Sequence, residues 1–180
     1  ESEKSCNNLT GLLSELSDLA NLEAGHLSLR RERIDLAPIL ARVEEDVHEG
    51  EDRGITLRVA GCSGAVFVFG DPVRLTTALT TLVAATLRER ADGMSMVVAC
   101  RHVDVPAGRT LRIAIGDRDA VETLLDDEEP AADTFDEYRG GLGFRLVLAS
   151  RIIGAHGGRV SSPVVDPGRL AIVVTLPVAP

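Results

Sequence analysis

The stretch GGLGFRLVLASRIIGAHGG, at residues 140–158, decides the fold. A glycine-rich turn opens a helical pattern of apolar residues, and the pattern stops at a double glycine before a strand-like run. Glycines at a helix N-terminus let backbone N–H groups approach a phosphate, and the helix dipole favours the negative charge. The same pattern is typical of a plain helix with a glycine C-cap, so the surrounding sequence has to decide between the two interpretations.

The composition is that of a globular chain with an aliphatic core. Of the 180 residues, 44% are apolar, only 3% are aromatic and none is Trp. The net charge of −9 argues against nucleic-acid binding, which needs a basic surface. We therefore expect one ordinary domain with an appendage and no nucleic-acid partner.

The three cysteines, Cys6, Cys62 and Cys100, lie far apart in the sequence. Their spacing fits no zinc site, and an odd count fits no closed disulfide framework, so we expect reduced thiols in a cytoplasmic protein. No run of eighteen apolar residues and no signal-peptide pattern is present. Any membrane attachment is expected only through segments outside this chain.

A leucine stripe at helical spacing predicts a first helix with one apolar face, formed by Leu9, Leu12, Leu13, Leu16 and Leu19. Nothing nearby in the sequence supplies a partner for this face. We expect it to pair with a second copy, so that residues 1–25 form the stem of a homodimer. Residues 26–180 form the second predicted domain.

The rest of the chain alternates helical and strand patterns. Asp35 and Asp71 are predicted N-caps of two helices, Gly140–Gly143 opens the third, and residues 117–139 read as a long acidic loop. Strands are predicted at 27–30, 55–59, 65–69, 94–103, 110–115, 159–161 and 170–176. This order predicts an α+β fold: a two-layer sandwich with a mixed sheet covered by helices on one face, preceded by one long helix.

Six motifs, taken together and in this order, resemble the catalytic half of sensor histidine kinases over nearly the whole chain. They are LEAG at 22–25, Asp35-Leu36, GDPVRL at 70–75, GLG at 141–143, HGG at 156–158, and the terminal DPG and VVTLP within 166–177. The resemblance implies an ATPase-type domain of two-component signal transduction. It also implies a response regulator or another kinase as partner.

The departures from the family pattern concern metal and phosphate binding. Two asparagines of the family's helix, one of which carries Mg²⁺, correspond here to Thr81 and Ala85, and a third functional position falls near Thr77. Mg²⁺ requires oxygen ligands, which a methyl group does not supply. We therefore expect no Mg²⁺, and we assign no catalytic and no metal-binding residue.

The first glycine box is also degraded. Its aspartate, which in the family accepts a hydrogen bond from the adenine amino group, is retained as Asp117, but Asp119 and Val121 stand at the two glycine positions. Arg118 and Asp119 add bulk and charge where the family keeps the backbone bare. A purely structural role for Asp117, at the end of a strand, is equally open. In the second box Arg139 replaces the first glycine and Phe144 a smaller residue.

The resemblance thus leaves a residual nucleotide site at Asp117, Gly141, Leu142, Gly143 and Thr81, with residues 118–140 as its lid. ATP binding at this site is expected to be weak.

The family's phosphoacceptor motif, a histidine in a run like H-E-x-R-x-P, is absent. Of the four histidines, His156 belongs to the HGG turn and is expected to be structural, and His26, His48 and His102 lack the motif. No histidine of this chain is expected to accept a phosphoryl group.

Three functions follow from these observations. The first is a histidine-kinase-like pseudokinase that acts through protein–protein interaction. The second is an active kinase domain that phosphorylates a histidine outside this chain, for which Asp117 and the glycine turn are the support. The third is another member of the same ATPase superfamily, such as an anti-sigma-factor kinase, against which the LEAG junction at 22–25 argues.

Overall fold

The computed structural model describes residues 29–62, 64–105, 108–126, 135–137, 141–166 and 169–179, together with residues 17, 20, 21 and 24. The predicted leucine face at Leu9–Leu19 lies outside the described residues, and so do the acidic run 127–130 and Arg139.

A five-stranded mixed sheet forms the centre of the molecule, with strand order β2-β4-β5-β9-β6. Strands β2 and β4 are parallel, whereas the other neighbours are antiparallel. Two small antiparallel pairs, β1-β3 and β7-β8, lie outside this sheet. The strands are β1 (Glu32–Asp35), β2 (Thr56–Cys62), β3 (Phe67–Gly70), β4 (Ser95–Val105), β5 (Gly108–Gly116), β6 (Arg159–Ser161), β7 (Val164–Asp166), β8 (Arg169–Leu170) and β9 (Ile172–Pro177). The α+β class and the mixed sheet are as predicted.

Three helices cover one face of the sheet: α1 (Leu36–Asp46), α2 (Pro72–Arg88) and α4 (Phe144–Ala155). As predicted, the Asp35 carboxylate caps α1 and the Asp71 carboxylate caps α2, each by accepting from a backbone N–H of the first turn. The apolar stripes of the three helices pack on alternate residues of the sheet, such as Leu111, Ile113 and Ile115 of β5. This layer contains the main core, which is built mostly of aliphatic side chains.

The fourth helix, α3 (Arg118–Asp126), packs on the opposite face of the sheet. We predicted an irregular loop here, and that prediction was wrong for residues 118–126. Ala120, Val121, Leu124 and Leu125 form one apolar helix face, which packs on Ala114, Val173 and neighbouring residues of the second sheet face. The charged residues of 117–139 suggested a solvated loop, but four apolar positions at helical spacing suffice to bury one side of a short helix.

The pairing of the early strands also differs from the simplest expectation. The patterns at 55–59 and 65–69 flank a glycine turn, which suggests a hairpin, but β2 pairs in parallel with β4, and β3 pairs with β1. The segment at 27–30 forms no strand at Leu29 or Arg30, and β1 begins two residues later at Glu32. Strand partners depend on the packing of the whole sheet, which local alternation does not report.

One cysteine corrects the expectation of reduced thiols. Cys100, which is buried on β4, is disulfide-bonded. Its Cα partner in the register of the parallel pair β2-β4 is Cys62. The parallel pairing brings these two backbone positions side by side although they are far apart in the sequence.

Candidate functional site

The GDP and HGG motifs form one clamp at the start of α2. The backbone N–H of Asp71 donates to Nε2 of His156 at 2.9 Å, and Nδ1 of His156 lies 2.7 Å from the backbone oxygen of Ile152. The ring is therefore the neutral tautomer with its proton on Nδ1. It also fits tightly, because a Cβ at Gly70 would lie 2.5 Å from Cδ2 of His156. His156 has the structural role that the sequence predicted.

Helix α2 presents no strong metal ligand at the positions expected for one. Its sequence, PVRLTTALTTLVAATLR, contains no carboxylate and no carboxamide side chain. The Thr81 hydroxyl donates to the backbone oxygen of Thr77 at 2.9 Å, so its proton is used within the helix. Ala85 is fully buried and belongs to the main core. Ala85 is thus packed against protein and is not presented to a cation.

Thr81 lines a groove of about 330 Å³ between α2 and α4, together with Arg145 of the first turn of α4. Leu148, Ala149 and Ile152 supply its apolar wall. Among the described lining residues the carboxylate is that of Asp46, which forms an ion pair with Arg42 at 3.0 Å. Arg145 is exposed beside this groove, whereas the hydroxyls of Thr76, Thr77 and Thr81 already donate to backbone oxygens.

The glycine turn before α4 keeps the backbone freedom that a phosphate cradle needs. Gly141 has φ +65°, and Gly143, the N-cap of α4, has φ +56° and ψ −132°, which favours glycine. A Cβ at either position would meet nothing within 4 Å, so the space outside the turn is open. Leu142 is half-buried and packs against the main core, which makes it an anchor of the turn.

Asp117 is engaged by the protein through both carboxylate oxygens. Oδ1 accepts from the backbone N–H of Ala120 at 2.9 Å, which caps α3, and Oδ2 lies 3.4 Å from the NH1 nitrogen of Arg90. The two side chains are only 15% and 6% exposed, so this is a buried ion pair. Of the two roles left open for Asp117, the structural one is present in the fold.

Arg90 is a site residue that sequence reasoning missed. It follows α2 directly in the run LRER at 87–90, whose alternating charges are typical of a solvated helix end. Arg53 holds this segment by donating to the backbone oxygens of Leu87 and Arg90 at 2.8 and 2.9 Å. No local signal in the sequence distinguishes the buried Arg90 from the exposed Arg88.

Two sheet arginines fix the other end of α3. Arg112 donates to the backbone oxygen of Leu124 at 3.1 Å, and Arg101 lies 3.4 Å from that of Leu125 and forms an ion pair with Asp126. Cations at a helix C-terminus satisfy its orphan carbonyls and complement its dipole. With Asp117 at the other end, α3 is capped at both termini and held against the sheet.

In the described part of the chain, two of the five residues predicted for a nucleotide site, Thr81 and Asp117, line different grooves. Thr81 shares the α2–α4 groove with Arg145, next to the glycine turn, whereas Asp117 lines a separate groove of about 500 Å³ with Arg90 and Met94. The two grooves have no lining residue in common. The structure therefore brings Thr81 close to the start of α4, and it leaves Asp117 with α3.

Of the remaining histidines, His48 and His102 lie within the described ranges. His48 is exposed and hydrogen-bonded to Glu51 at 2.9 Å, and the pKa of His48 is raised by this hydrogen bond and by the Glu51 charge. His102 is half-buried on β4, and His26 lies outside the described residues. Within the described ranges no three His, Cys, Asp or Glu side chains are grouped as metal ligands. None of the described helices is long and apolar enough to cross a bilayer.

No protein-family model matches the chain. It is similar to sensor kinases over nearly all of its length: it is 28% identical over 177 residues to the sensor protein KdpD of Rathayibacter rathayi and 30% identical over 175 residues to the sensor histidine kinase CusS of Escherichia coli K12. These alignments cover 95% and 92% of this chain, but only 20% and 35% of the two relatives. The chain thus spans a minor part of the length of the proteins it matches.

Solved structures agree on the fold. The full-length kinase ShkA in complex with AMPPNP superimposes with a TM-score of 0.71 at 20% identity, covering 98% of this chain and 37% of that one. The histidine kinase AdeS of Acinetobacter baumannii gives 0.64 at 19% identity, covering 96% and 80%. The chain therefore has the fold of a histidine kinase ATPase-type domain, and its sequence is similar to that of sensor histidine kinases.

Proposed function

We propose that this chain belongs to a two-component signal transduction protein with degenerate ATP-binding boxes, a pseudokinase that acts through protein–protein interaction rather than phosphoryl transfer. The observation that carries the proposal is the state of α2. Its functional positions are Thr81, whose hydroxyl donates to the helix backbone, and Ala85, whose methyl group is buried in the core.

The chemical reason is the dependence of phosphoryl transfer on a metal ion. The protein contributes mainly positioning and charge neutralisation to this reaction, and the cation supplies much of the neutralisation. Loss of the metal ligands is expected to reduce the rate by roughly a thousandfold or more. Ala85 is fully buried in the main core, and its methyl side chain offers the cation no oxygen ligand.

A residual, metal-independent nucleotide site is compatible with this proposal. The open turn at Gly141–Gly143 and the Arg145 side chain in the adjoining groove are suited to an anion. Similarity to ShkA, which was solved with AMPPNP, supports ATP as the nucleotide. We expect weak ATP binding that involves Thr81, Leu142 and the turn glycines, with Mg²⁺ contributing nothing.

The partners and the organisation of the protein also belong to this proposal. Residues 1–25 are the second helix of a dimerisation stem, residues 26–180 the ATPase-like domain, and residues 118–140 the segment that corresponds to its lid. The partners are a second copy of the chain and a response regulator or another kinase. We place the protein in the cytoplasm, with any membrane contact made by segments outside this chain.

Calorimetric titration of the purified chain with an ATP analogue, with Mg²⁺ and then with EDTA, tests the proposal. We expect weak binding whose affinity does not change with the metal. Tight binding that EDTA abolishes would overturn the pseudokinase proposal, and an active kinase with competent boxes would be the control.

The alternative is an active histidine kinase domain. The positive-φ glycines and open space of the turn before α4 favour it, because they are retained although the other boxes are degraded. Transfer of radiolabelled phosphate from ATP to a supplied histidine-bearing stem would establish this alternative. A stem with the histidine replaced by alanine is the matched control.

A further inference from the structure

We propose that the guanidinium of Arg90 pairs with the Asp117 carboxylate, the group expected to recognise the base, and thereby excludes an adenine-type base from Asp117. The inference rests on the proposed function, because it takes Asp117 as the acceptor for an exocyclic amine. It goes beyond the loss of metal ligands, because it identifies the Arg90 side chain, after α2, as a second and independent obstacle to nucleotide binding.

Both carboxylate oxygens of Asp117 have partners within the chain. Oδ2 faces the Arg90 NH1 nitrogen at 3.4 Å, and Oδ1 faces the Ala120 N–H at 2.9 Å. A base with an exocyclic amine needs one of these oxygens as its acceptor. Each carboxylate oxygen has a second lone pair, so the block lies in the space that the guanidinium fills beside Oδ2, where the two side chains are only 6% and 15% exposed.

The Arg90 side chain is held in a buried position. Its backbone oxygen accepts from Arg53 at 2.9 Å, its side chain is 6% exposed, and its NH2 nitrogen lies 3.5 Å from where a Cβ at Gly116 would be. The guanidinium thus lies against the end of β5, directly before Asp117. Moving it away would leave a buried charge without compensation, which is costly.

A groove lies beside the Arg90–Asp117 pair. The groove of about 500 Å³ beside Asp117 is lined by Arg90, Ala91, Met94 and Ser95, and also by the charged residues Glu89, Arg118 and Asp119. Shortening Arg90 extends this groove up to the freed Oδ2. The enlarged groove would have an apolar side at Met94 and a carboxylate at its end, which suits a planar base with an amine.

The experiment measures binding of fluorescent N-methylanthraniloyl-ADP to the full chain in EDTA. Arg90→Ser is expected to bind this probe roughly tenfold or more tightly than the wild-type chain, because a hydrogen bond to a charged group is gained. Arg88→Ser is the matched control, since Arg88 is exposed and its ion pair with Glu49 is long, at 3.9 Å. The corresponding IDP probe, whose base has a carbonyl in place of the exocyclic amine, should gain nothing from Arg90→Ser.

An Arg90→Ser chain that is folded by circular dichroism and binds no more tightly than wild type would overturn the inference. If Arg90→Ser does not fold, Arg90→Met keeps the apolar stem and is tested in the same way. In the wild-type chain the Arg90 guanidinium NMR signal should stay unchanged while ADP is added, and its displacement would contradict the proposal. Failure of the proposed function is distinguishable, because it would appear as tight Mg²⁺-dependent binding by the wild-type chain.

Discussion

At the scale of single residues, Asp117 shows how a position with a ligand-binding pattern becomes part of the scaffold. One oxygen caps α3 and the other pairs with the buried Arg90. Each contact uses an acceptor that a free binding site would present to solvent. Because both contacts of Asp117 are made within the chain, the presence of an aspartate at this position does not by itself show whether it binds a ligand.

Replacing Asp117 with alanine should lower the free energy of unfolding by about 3 kcal/mol or more, because the substitution removes a helix cap and leaves the Arg90 charge buried without its partner. Urea denaturation followed by circular dichroism measures this. Glu122→Ala, at an exposed position on the same helix, is the control and should change stability by no more than about 0.5 kcal/mol. Equal effects of the two substitutions would contradict the structural role of Asp117.

The His48–Glu51 pair gives a prediction for pH. Because the folded-state pKa of His48 is raised, the stability from this pair is fully present below the unfolded-state pKa, near 6.5, and is lost as the pH rises through the folded-state value. Glu51→Gln removes the charge and should lower the pKa of His48 toward its ordinary value. An NMR titration of the His48 ring protons tests this, and an unchanged midpoint would show that Glu51 is not the cause.

At the scale of secondary-structure elements, the helices are fixed in place by polar groups at their ends. Asp35 and Asp71 cap α1 and α2, Arg53 binds the last carbonyls of α2, and α3 is held at both ends by side chains. The core of this chain has few aromatic residues and is built mostly of aliphatic side chains. The polar contacts at the helix ends fix the positions of the helices on that core. The many arginines of the chain are thus used in part as internal donors to the backbone.

Two glycines of the HGG and GDP region should respond in opposite ways to alanine. Gly70→Ala places a Cβ 2.5 Å from the His156 ring and 2.8 Å from Leu75 Cδ1, so we expect a loss of about 1–3 kcal/mol from overpacking. Gly154→Ala, within α4, meets nothing within 4 Å and should stabilise the chain by about 0.5–1 kcal/mol. Thermal unfolding of both variants measures the contrast, which would be absent if the clamp at His156 did not form.

At the scale of the whole molecule, the order of elements and the mixed sheet could be predicted from the sequence, because helix caps, alternation and turns are local signals. The same was true of the resemblance to histidine kinases, which rests on six short motifs in order. The helix at α3, the pairing of β2 with β4 and the disulfide-bonded state of Cys100 were missed. Each of these depends on which distant segments pack together.

The predicted dimer is a property of the whole molecule that the leucine stripe indicates. Sedimentation equilibrium of the chain should give twice the monomer mass, and Leu12→Asp with Leu16→Asp should give the monomer, because two charges would be buried in the interface. Asn7→Asp, on the opposite side of the predicted helix, is the control and should leave the dimer intact. A wild-type chain that sediments as a monomer at micromolar concentration would refute the stem assignment.

The sequence by itself determined most of the helices and strands, though not α3, and which family the chain resembles. From that resemblance it also predicted that Thr81 and Ala85 stand where oxygen-rich metal ligands would be. Only the tertiary structure decided the use of Asp117, the burial of Arg90 and the sheet face on which α3 packs. The reason is physical: a buried charge is stable only beside its partner, and Arg90 and Asp117, which are 27 positions apart in the sequence, meet only when α2 and β5 pack in the same fold.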